Sequence, residues 1–420
     1  MTRPSVSHAW RALRHRNFKL FYGGQSISVI GTWMTRVATS WLVFRMTHSA
    51  LMLGVVGFSG QILALLLGPF AGVWVERLPR RKLLVWTQAA GAVQSLLLAV
   101  LTLTHRITVP EIIALSAFQG LINAFDMPGR QSFLVQMVED KRDLQNAIAL
   151  NSSMANGARF VGPALAGLVV AKWGEGWCFL IDGCSYFAVI ASLLLMRVHV
   201  AAMMRARKSL LEEMREGWDY VRGSVPLRTT LILFATIAMM GYSCTVLMPV
   251  FAAHVLHGDA HTLGWLGSAI GVGAVISAAS LAVRKSLRGL PRAIQVASGM
   301  SGVGLVAFGF SHVLWLSLLL LVFVGFGMMQ TASASNMILQ SLVTEDKRAR
   351  VMSYYTMAFF GSVPIGSLLS GATAHVIGAQ RTVMITGTCC VLGSLWYLTR
   401  LSKMKAALQV KVDEEVLQGA

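Results

Sequence analysis

The sequence predicts an all-α membrane protein of twelve transmembrane helices in two pseudo-symmetric six-helix bundles, and three observations carry that prediction. Of 420 residues, 55% are hydrophobic and 13% charged, with a mean hydropathy of +0.62. A soluble domain carries about 25% charged residues, so this chain lacks the polar surface to cover a water-soluble shape. Apolar runs of bilayer length, about 20 residues each, recur along the whole chain. The two halves of the chain also share landmarks.

The runs are 17–43, 50–75, 83–104, 110–136, 144–172, 176–197, 229–256, 262–283, 292–311, 313–340, 349–376 and 379–400. Several exceed the minimum, which implies tilt or protruding ends. The 39 Gly residues allow such helices to approach closely, and the 22 Met residues fill adaptable surfaces. Residues 1–16 are basic and polar, and the apolar stretch after them is too long for a signal h-region, so the first helix is expected to serve as the insertion signal.

The net charge of +18 does not indicate nucleic-acid binding. The basic residues form short clusters between apolar runs, without the interleaved aromatic rings of a stacking platform. With both termini placed in the cytoplasm, inside segments hold 29 Lys and Arg; the outside loops hold only Arg45, Arg106, Lys172 and Arg381. That asymmetry predicts cytoplasmic termini. Arg36, Arg130 and Arg159 fall inside helices. The five cysteines (Cys178, Cys184, Cys244, Cys389 and Cys390) lie in apolar runs without a C-x-x-C pair and read as small buried hydrophobes, not disulfides or metal ligands. Neither H-E-x-x-H nor G-x-x-x-x-G-K-[ST] occurs. Gly57-Phe58-Ser59-Gly60 matches the G-x-S-G of intramembrane serine proteases, but in a Gly-rich helix where chance matches are frequent. No catalytic residue and no metal site is expected.

The longest polar stretch divides the chain into residues 1–198, a linker at 199–227, residues 228–402 and a tail at 403–420. In the linker Leu210, Leu211, Met214, Trp218 and Val221 share a helical face, with Glu212, Glu213, Arg215, Glu216 and Asp219 elsewhere. This predicts an amphipathic helix on the cytoplasmic membrane surface; a partner-binding helix is the alternative. Glu139-Asp140-Lys141-Arg142 matches Glu345-Asp346-Lys347-Arg348, and Pro163 matches Pro364. Two six-helix halves with one topology imply a parallel repeat and a pathway at their interface.

After the second run stands Gly68-Pro69-Phe70-Ala71-Gly72-Val73-Trp74-Val75-Glu76-Arg77-Leu78-Pro79-Arg80-Arg81-Lys82. It resembles the signature loop of the major facilitator superfamily, with Glu76 where Asp is usual. Physically, Gly72 permits close helix approach, Glu76 is placed to face an Arg or a helix N-terminus in one conformation, and Arg77, Arg80 and Arg81 hold the loop inside. The corresponding loop of the second half, Arg284 to Arg292, is basic but degenerate. Phe125-Asp126-Met127-Pro128-Gly129-Arg130-Gln131, then Asn146 to Ser152, then Ala158-Arg159-Phe160-Val161-Gly162-Pro163-Ala164-Leu165-Ala166-Gly167, resemble the branch holding enterobactin exporters and macrolide efflux pumps. The resemblance covers nearly the whole chain. It implies an alternating-access carrier of a bacterial cytoplasmic membrane, usually a proton-driven exporter with no cofactor besides the gradient. Efflux relatives often place an Arg three residues before the Gln119-Gly120 pair; here that position is Ser116, so that group's coupling residue is not carried over. Gly162, Pro163 and Gly167, with Pro364 in the second half, are expected at the helix interface between the halves.

A charge inside an apolar helix costs about 2.5–3.5 kcal/mol on an insertion scale and needs a reason. Asp126 and Arg130 lie i, i+4 near the cytoplasmic end of their helix, at the level of Glu76 and Arg77. They read as a charge cluster locking a gate, as a local pair at a helix end or, for Asp126, as a proton carrier. Arg36 and Asp182 fall at equal depth from the outer side, as a buried structural pair or a proton relay. Apart from Glu111 at a helix edge, Asp182 is the only carboxylate well inside the outer half. Arg159 is placed to attract an anionic substrate, or equally to cap carbonyls or pair with Asp126. Gln25, Gln119, Asn123, Arg159, Met239, Tyr242, Gln330 and Asn336 are the cavity candidates. With the neighbouring methionines they suit an amphipathic, adaptable cavity, though Met also serves plain packing. The expectation is a secondary transporter exporting siderophore-, macrolide- or drug-like molecules, monomeric, with a small-molecule substrate and membrane lipids as partners and no nucleic acid. A lipid or lysophospholipid flippase is the rival. An intramembrane enzyme or a receptor is more remote, since a receptor requires neither the repeat nor the gate loop.

Overall fold

The computed structural model describes residues 10–138, 140–197, 210–284, 289–404 and 406; within them it leaves the side chains of Pro69, Gly72, Val73, Glu76, Arg77, Lys141, 210–214, Glu345, Asp346 and Ala349 undescribed. Among the described residues regular structure is helical throughout. The long helices are α1 (Arg16–Thr47), α2 (Ala50–Arg77), α3 (Arg80–Leu103), α4 (Val109–Leu134), α5 (Leu144–Trp173) and α6 (Glu175–Leu195). The short α7 (Leu210–Gly223) follows. Then come α8 (Val225–Val255), α9 (Ala260–Ala282), α10 (Leu290–Phe310), α11 (Leu314–Leu342), α12 (Glu345–Ile377) and α13 (Ala379–Leu398).

Setting α7 aside, twelve helices stand where twelve apolar runs are predicted, with ends that mostly differ by a few residues. Nine are long and apolar enough to cross a membrane by themselves. The other three, α1, α4 and α13, carry more polar residues in their interiors, among them Gln25 and Asp126. At 32 residues, α1 is about 48 Å long, well beyond a hydrocarbon core of about 30 Å. Large apolar side chains face outward, with Trp86 75% and Val376 81% exposed, as lipid-facing positions require.

The repeat extends to the turns. His48 after α1 and His257 after α8 both adopt positive φ, at 48° and 51°. Gly174 between α5 and α6 and Gly378 between α12 and α13 take φ of 90° and 89°, a backbone that favours glycine.

The chain forms two compact units, Met1–His48 with Ser59–Ala206 and Gly258–Ser268, and Ser49–Phe58 with Arg207–His257 and Ala269–Ala420. In the first unit α6 packs on α1 and α3, and α5 packs on α1. Gly167 of α5 crosses the start of α9, where an added Cβ would sit 3.0 Å from the Cα of Gly264. Gly264 and Gly267 in turn face Pro163.

In the second unit α10 packs on α11 and α13, and α8 on α12. Gly371 of α12 meets the first turns of α2, where a Cβ would lie 2.8 Å from the Cα of Gly54. Both crossings use small residues to bring backbones together. α8 is irregular: Ile237–Gly241 and Phe251–Val255 are π-helical and Tyr242–Leu247 is 3-10. Pro249 cannot donate to an i−4 carbonyl, which breaks the regular ladder there. Gly366, two residues after Pro364, leaves room for the Met239 carbonyl of the π segment.

α7 is a helix within the linker and packs on the start of α12. Gly217 and Val221 are buried, Trp218 is 52% exposed, and Glu216 pairs with Arg350 and Lys347 at the start of α12. Gly217 lies close to Tyr354 and Arg350. Two residues of the predicted apolar face take part, Val221 in the buried cluster with Val351 and Trp218 against the Tyr354 ring at 5.9 Å.

Candidate functional site

The first unit contains a continuous polar stripe. On α3, Thr87, Gln88, Gly91, Gln94 and Ser95 fall at helical spacing on one face, and all five are buried. Residues three, four and seven apart share a face, so a polar set at that spacing lines the interior.

One end of the stripe holds Asp126 of α4, 1% exposed. Its Oδ1 accepts from Thr87 Oγ1 at 2.9 Å and Gln88 Nε2 at 2.7 Å, while Oδ2 pairs with Arg130. About 12 Å further along α3, by helical rise, Ser95 reaches Asp182 of α6, also 1% exposed. Oδ2 of Asp182 accepts from Ser95 Oγ and Thr35 Oγ1, both at 2.9 Å, and Oδ1 from Thr32 Oγ1 at 3.5 Å. Between the carboxylates, Gly91 makes room for the Tyr186 ring: a Cβ there would come within 2.8 Å of it. On α4, Gln119 Nε2 donates to Asn123 Oδ1 at 3.2 Å. Gln25 of α1 is buried in the same unit. Polar side chains of α1, α3, α4 and α6 thus surround the two acids.

The two carboxylates differ. Asp126 has a cation one turn away. Asp182 has only hydroxyl donors and, among the described residues, no ion pair. The Arg36–Asp182 pair suggested by equal depth does not form. Thr32 and Thr35 occupy the face of α1 turned to α6. Arg36, about 100° further round the helix, is exposed and lies over Trp33 with Cζ 4.6 Å from the ring centroid. Arg159 of α5 lies over the same ring at 5.4 Å. Gly162 seats the indole against α5, since a Cβ there would collide with that of Trp33.

Around the signature loop, Gly72, Glu76 and Arg77 close α2, and their side chains lie outside the described residues. Arg80 donates to the Ser132 carbonyl at 3.4 Å and Arg81 to the Leu194 carbonyl at 2.6 Å. Each arginine therefore caps the C-terminal turn of a neighbouring helix, α4 or α6, where carbonyls lack intrahelical donors and the dipole is negative. Nearby, Asp143 at the start of α5 receives Arg11 at 2.6 Å and contacts His15 at 3.1 Å. The His15 hydrogen bond and the Arg11 guanidinium hold its carboxyl below the usual range. Ser116 and Gly120 of α4 face Gly60 of α2, with a Gly120 Cβ placed 2.9 Å from the Gly60 carbonyl. That close crossing favours a small residue at 116 over an arginine.

In the second unit Gln330 accepts from Ser277 at 2.8 Å and Ser280 at 3.2 Å, pinning α11 to α9. Asn336 accepts from Gln340 at 2.6 Å. Met239 and Tyr242 lie on the irregular part of α8. Tyr242 meets Phe359 edge-on at 5.2 Å, and Phe234 stacks on Tyr355 at 4.4 Å. Sequence reasoning missed this aromatic cluster and the α3 stripe. The stripe carries a readable signal, polar residues with a helical period in an apolar run; the cluster joins residues distant in the chain, Tyr242 with Phe359 and Phe234 with Tyr355.

Among the described residues, twelve long helices with large apolar side chains turned outward define a multi-pass membrane protein. The chain matches the family described as transmembrane secretion effector over residues 7–417, and it belongs to that family of the major facilitator superfamily. It is 27% identical to the staphyloferrin A transporter of Staphylococcus aureus, covering 92% of this chain and 97% of the relative. It is 25% identical to the multidrug efflux pump Tap of Mycolicibacterium fortuitum, covering 84% and 88%. Its fold is similar to a solved POT family transporter in complex with a thioalcohol-conjugated peptide, with a TM-score of 0.74 at 11% identity over 93% of this chain and 96% of the other.

Proposed function

We propose that this protein is a proton-driven exporter of amphipathic small molecules, monomeric in a bacterial cytoplasmic membrane with both termini inside, working by movement of residues 1–198 against 228–402. The observation that carries the reading is the setting of Asp182. A carboxylate buried among the hydroxyls of Thr32, Thr35 and Ser95, with no ion pair among the described residues, has no cation to hold it ionised, so it is the buried acid best placed to take up and release a proton. Hydroxyls rotate to donate to a carboxylate or to accept from a carboxylic acid, so both states keep partners. Asp126, held by Arg130, is the fixed member of the pair and steadies the end of α4 near Arg80. The export direction takes its support from Tap, named as an efflux pump, and the orientation from the Lys and Arg asymmetry.

The test is transport in inverted vesicles, with and without a pH gradient, against siderophores, macrolides and dyes. Accumulation that collapses when the gradient is dissipated is expected. Gradient-independent flux would contradict the coupling, and competition by lysophospholipids with headgroup dependence would indicate a flippase instead.

A further inference from the structure

A second buried carboxylate stands on the Asp182 face of α6. Glu175, in the first turn of that helix, is 3% exposed. It precedes Asp182 by nearly two whole turns, so the two share a face about 10 Å apart along the axis. The neighbouring helix repeats the interval. On α3, Thr102 stands two turns beyond Ser95, the donor to Asp182, and is also buried. The antiparallel run of α3 against α6 keeps these positions level: a Cβ at Gly183 would meet Leu96, and one at Gly176 would meet Leu103. A hydroxyl and a carboxylate are thus set level twice, as Ser95 with Asp182 and two turns on as Thr102 with Glu175.

An acid in a first helical turn stabilises the helix dipole, but that role does not require burial. Here Oε2 of Glu175 pairs with Arg45 Nη2 of α1 at 3.1 Å, and the Arg45 side chain is 58% exposed. The guanidinium therefore lies between the buried carboxylate and solvent. Among the described residues, Glu175 Oε1 and Thr102 Oγ1 have no hydrogen-bond partner. Burying such atoms unpaired costs about 1–3 kcal/mol each, which a dipole effect alone does not call for. A carboxyl oxygen so placed accepts from water or takes a proton. Among the other charged groups on elements packed against α6, Lys172 lies over the Trp173 ring with Nζ 4.9 Å from its centroid, and His105 and Arg106 are exposed after α3. Between the two acids, Leu98 and Ala99 of α3 and Cys178 and Phe179 of α6 form a buried apolar turn.

We propose that Glu175 is the proton-entry residue for Asp182, with Arg45 as its cover and Thr102 as its hydroxyl partner. A proton from the outer water displaces Arg45 and binds the Glu175 carboxylate. It crosses the apolar turn to the Asp182 carboxylate when a local opening admits water. Glu175, ionised again, re-forms its pair with Arg45, so one proton moves and charge balances at each step. The cover and the apolar turn keep the path closed between loadings. The route rests on the proton-driven reading and the orientation above.

The test reads proton exchange at Asp182 in the purified full chain in detergent, with no gradient and no substrate. Infrared spectra follow the carboxylic-acid carbonyl band across pH, and rapid transfer from light to heavy water times its shift. The Asp182 band is the one that Asp182→Asn removes. Glu175→Gln is expected to slow the exchange by about a hundredfold, the lower end of what a positioned proton-transfer group contributes. Glu175→Asp retains a carboxyl and recovers most of the rate, and Arg45→Gln, which removes the cover, speeds exchange. A clasp that only ties α1 to α6 would instead lower the melting midpoint in Glu175→Gln and Arg45→Gln alike and leave exchange no slower in either. Exchange in Glu175→Gln within about twofold of the parent chain, or no faster in Arg45→Gln, would overturn the route. Should Glu175→Gln not fold, Arg45→Gln decides. Absence of an Asp182 carboxyl band at every pH would contradict the proton-driven reading and the route with it. A band whose exchange ignores Glu175 overturns the route alone.

Discussion

The two units share a helical plan and differ in what their interiors hold. In the first, Asp126, Arg130, Asp182, Tyr186 and the α3 stripe place charged and hydrogen-bonding groups along one buried face. In the second, the described interior offers hydroxyls on Gln330, stacked rings around Phe234 and Tyr355, and the irregular backbone of α8. Carboxylates buried in apolar surroundings can store and release a proton. Aromatic clusters and π-helical turns cannot, but they supply a deformable apolar surface, and π-bulges are frequent at functional sites. On the proposed function, ion chemistry belongs to the first unit and adaptable apolar contact to the second.

Substitutions separate these roles, beginning with the largest stability effect. Phe234 is 1% exposed and stacks on Tyr355; Phe234→Ala should cost about 3–5 kcal/mol. In melts followed by intrinsic fluorescence it should lower the midpoint, while the ratio of gradient-driven to gradient-free flux in whatever folds stays unchanged. A changed ratio would place coupling in the second unit as well. Asp126→Ala leaves Arg130 and Gln88 without this acceptor, while Thr87 keeps the Leu84 carbonyl; with the Arg130 side chain 30% exposed, the cost should be about 2–3 kcal/mol. An unchanged midpoint would show that the pair is dispensable. The smallest effect belongs to the clasp between Asp143, His15 and Arg11. The Asp143 carboxyl lies below its ordinary range, so its contribution is present above about pH 4 and is lost as pH falls through the lowered value. Hydrogen-exchange protection of residues 11–14 should fall on acidification below that point. In Asp143→Asn this pH dependence should be flat.

Much of the fold was legible because lipid imposes a coarse rule, about 20 apolar residues per span. Chain landmarks such as Pro163 and Pro364 exposed the repeat. The i, i+4 spacing of Asp126 and Arg130 gave their pair directly. The Arg36–Asp182 pair failed because equal depth fixes height and not azimuth: one residue's rotation hands the carboxylate to Thr35. Gln330, a cavity candidate from the sequence, accepts from Ser277 and Ser280 of α9, partners that its own position in the chain did not reveal. The apolar face of α7 was legible through Trp218 and Val221, while the role of Gly217 depends on Tyr354 and Arg350 beside it. Helix packing decides such matters, and a linear pattern does not carry it.

The account rests most heavily on Asp182. The direct measurement compares the parent chain with Asp182→Asn in proteoliposomes, reading both gradient-driven accumulation and gradient-free exchange of a substrate identified in the vesicle assay. Asparagine preserves size and hydrogen bonding but cannot change charge. The account predicts that accumulation falls to the level of empty vesicles while exchange persists. Accumulation at the parent rate would contradict it.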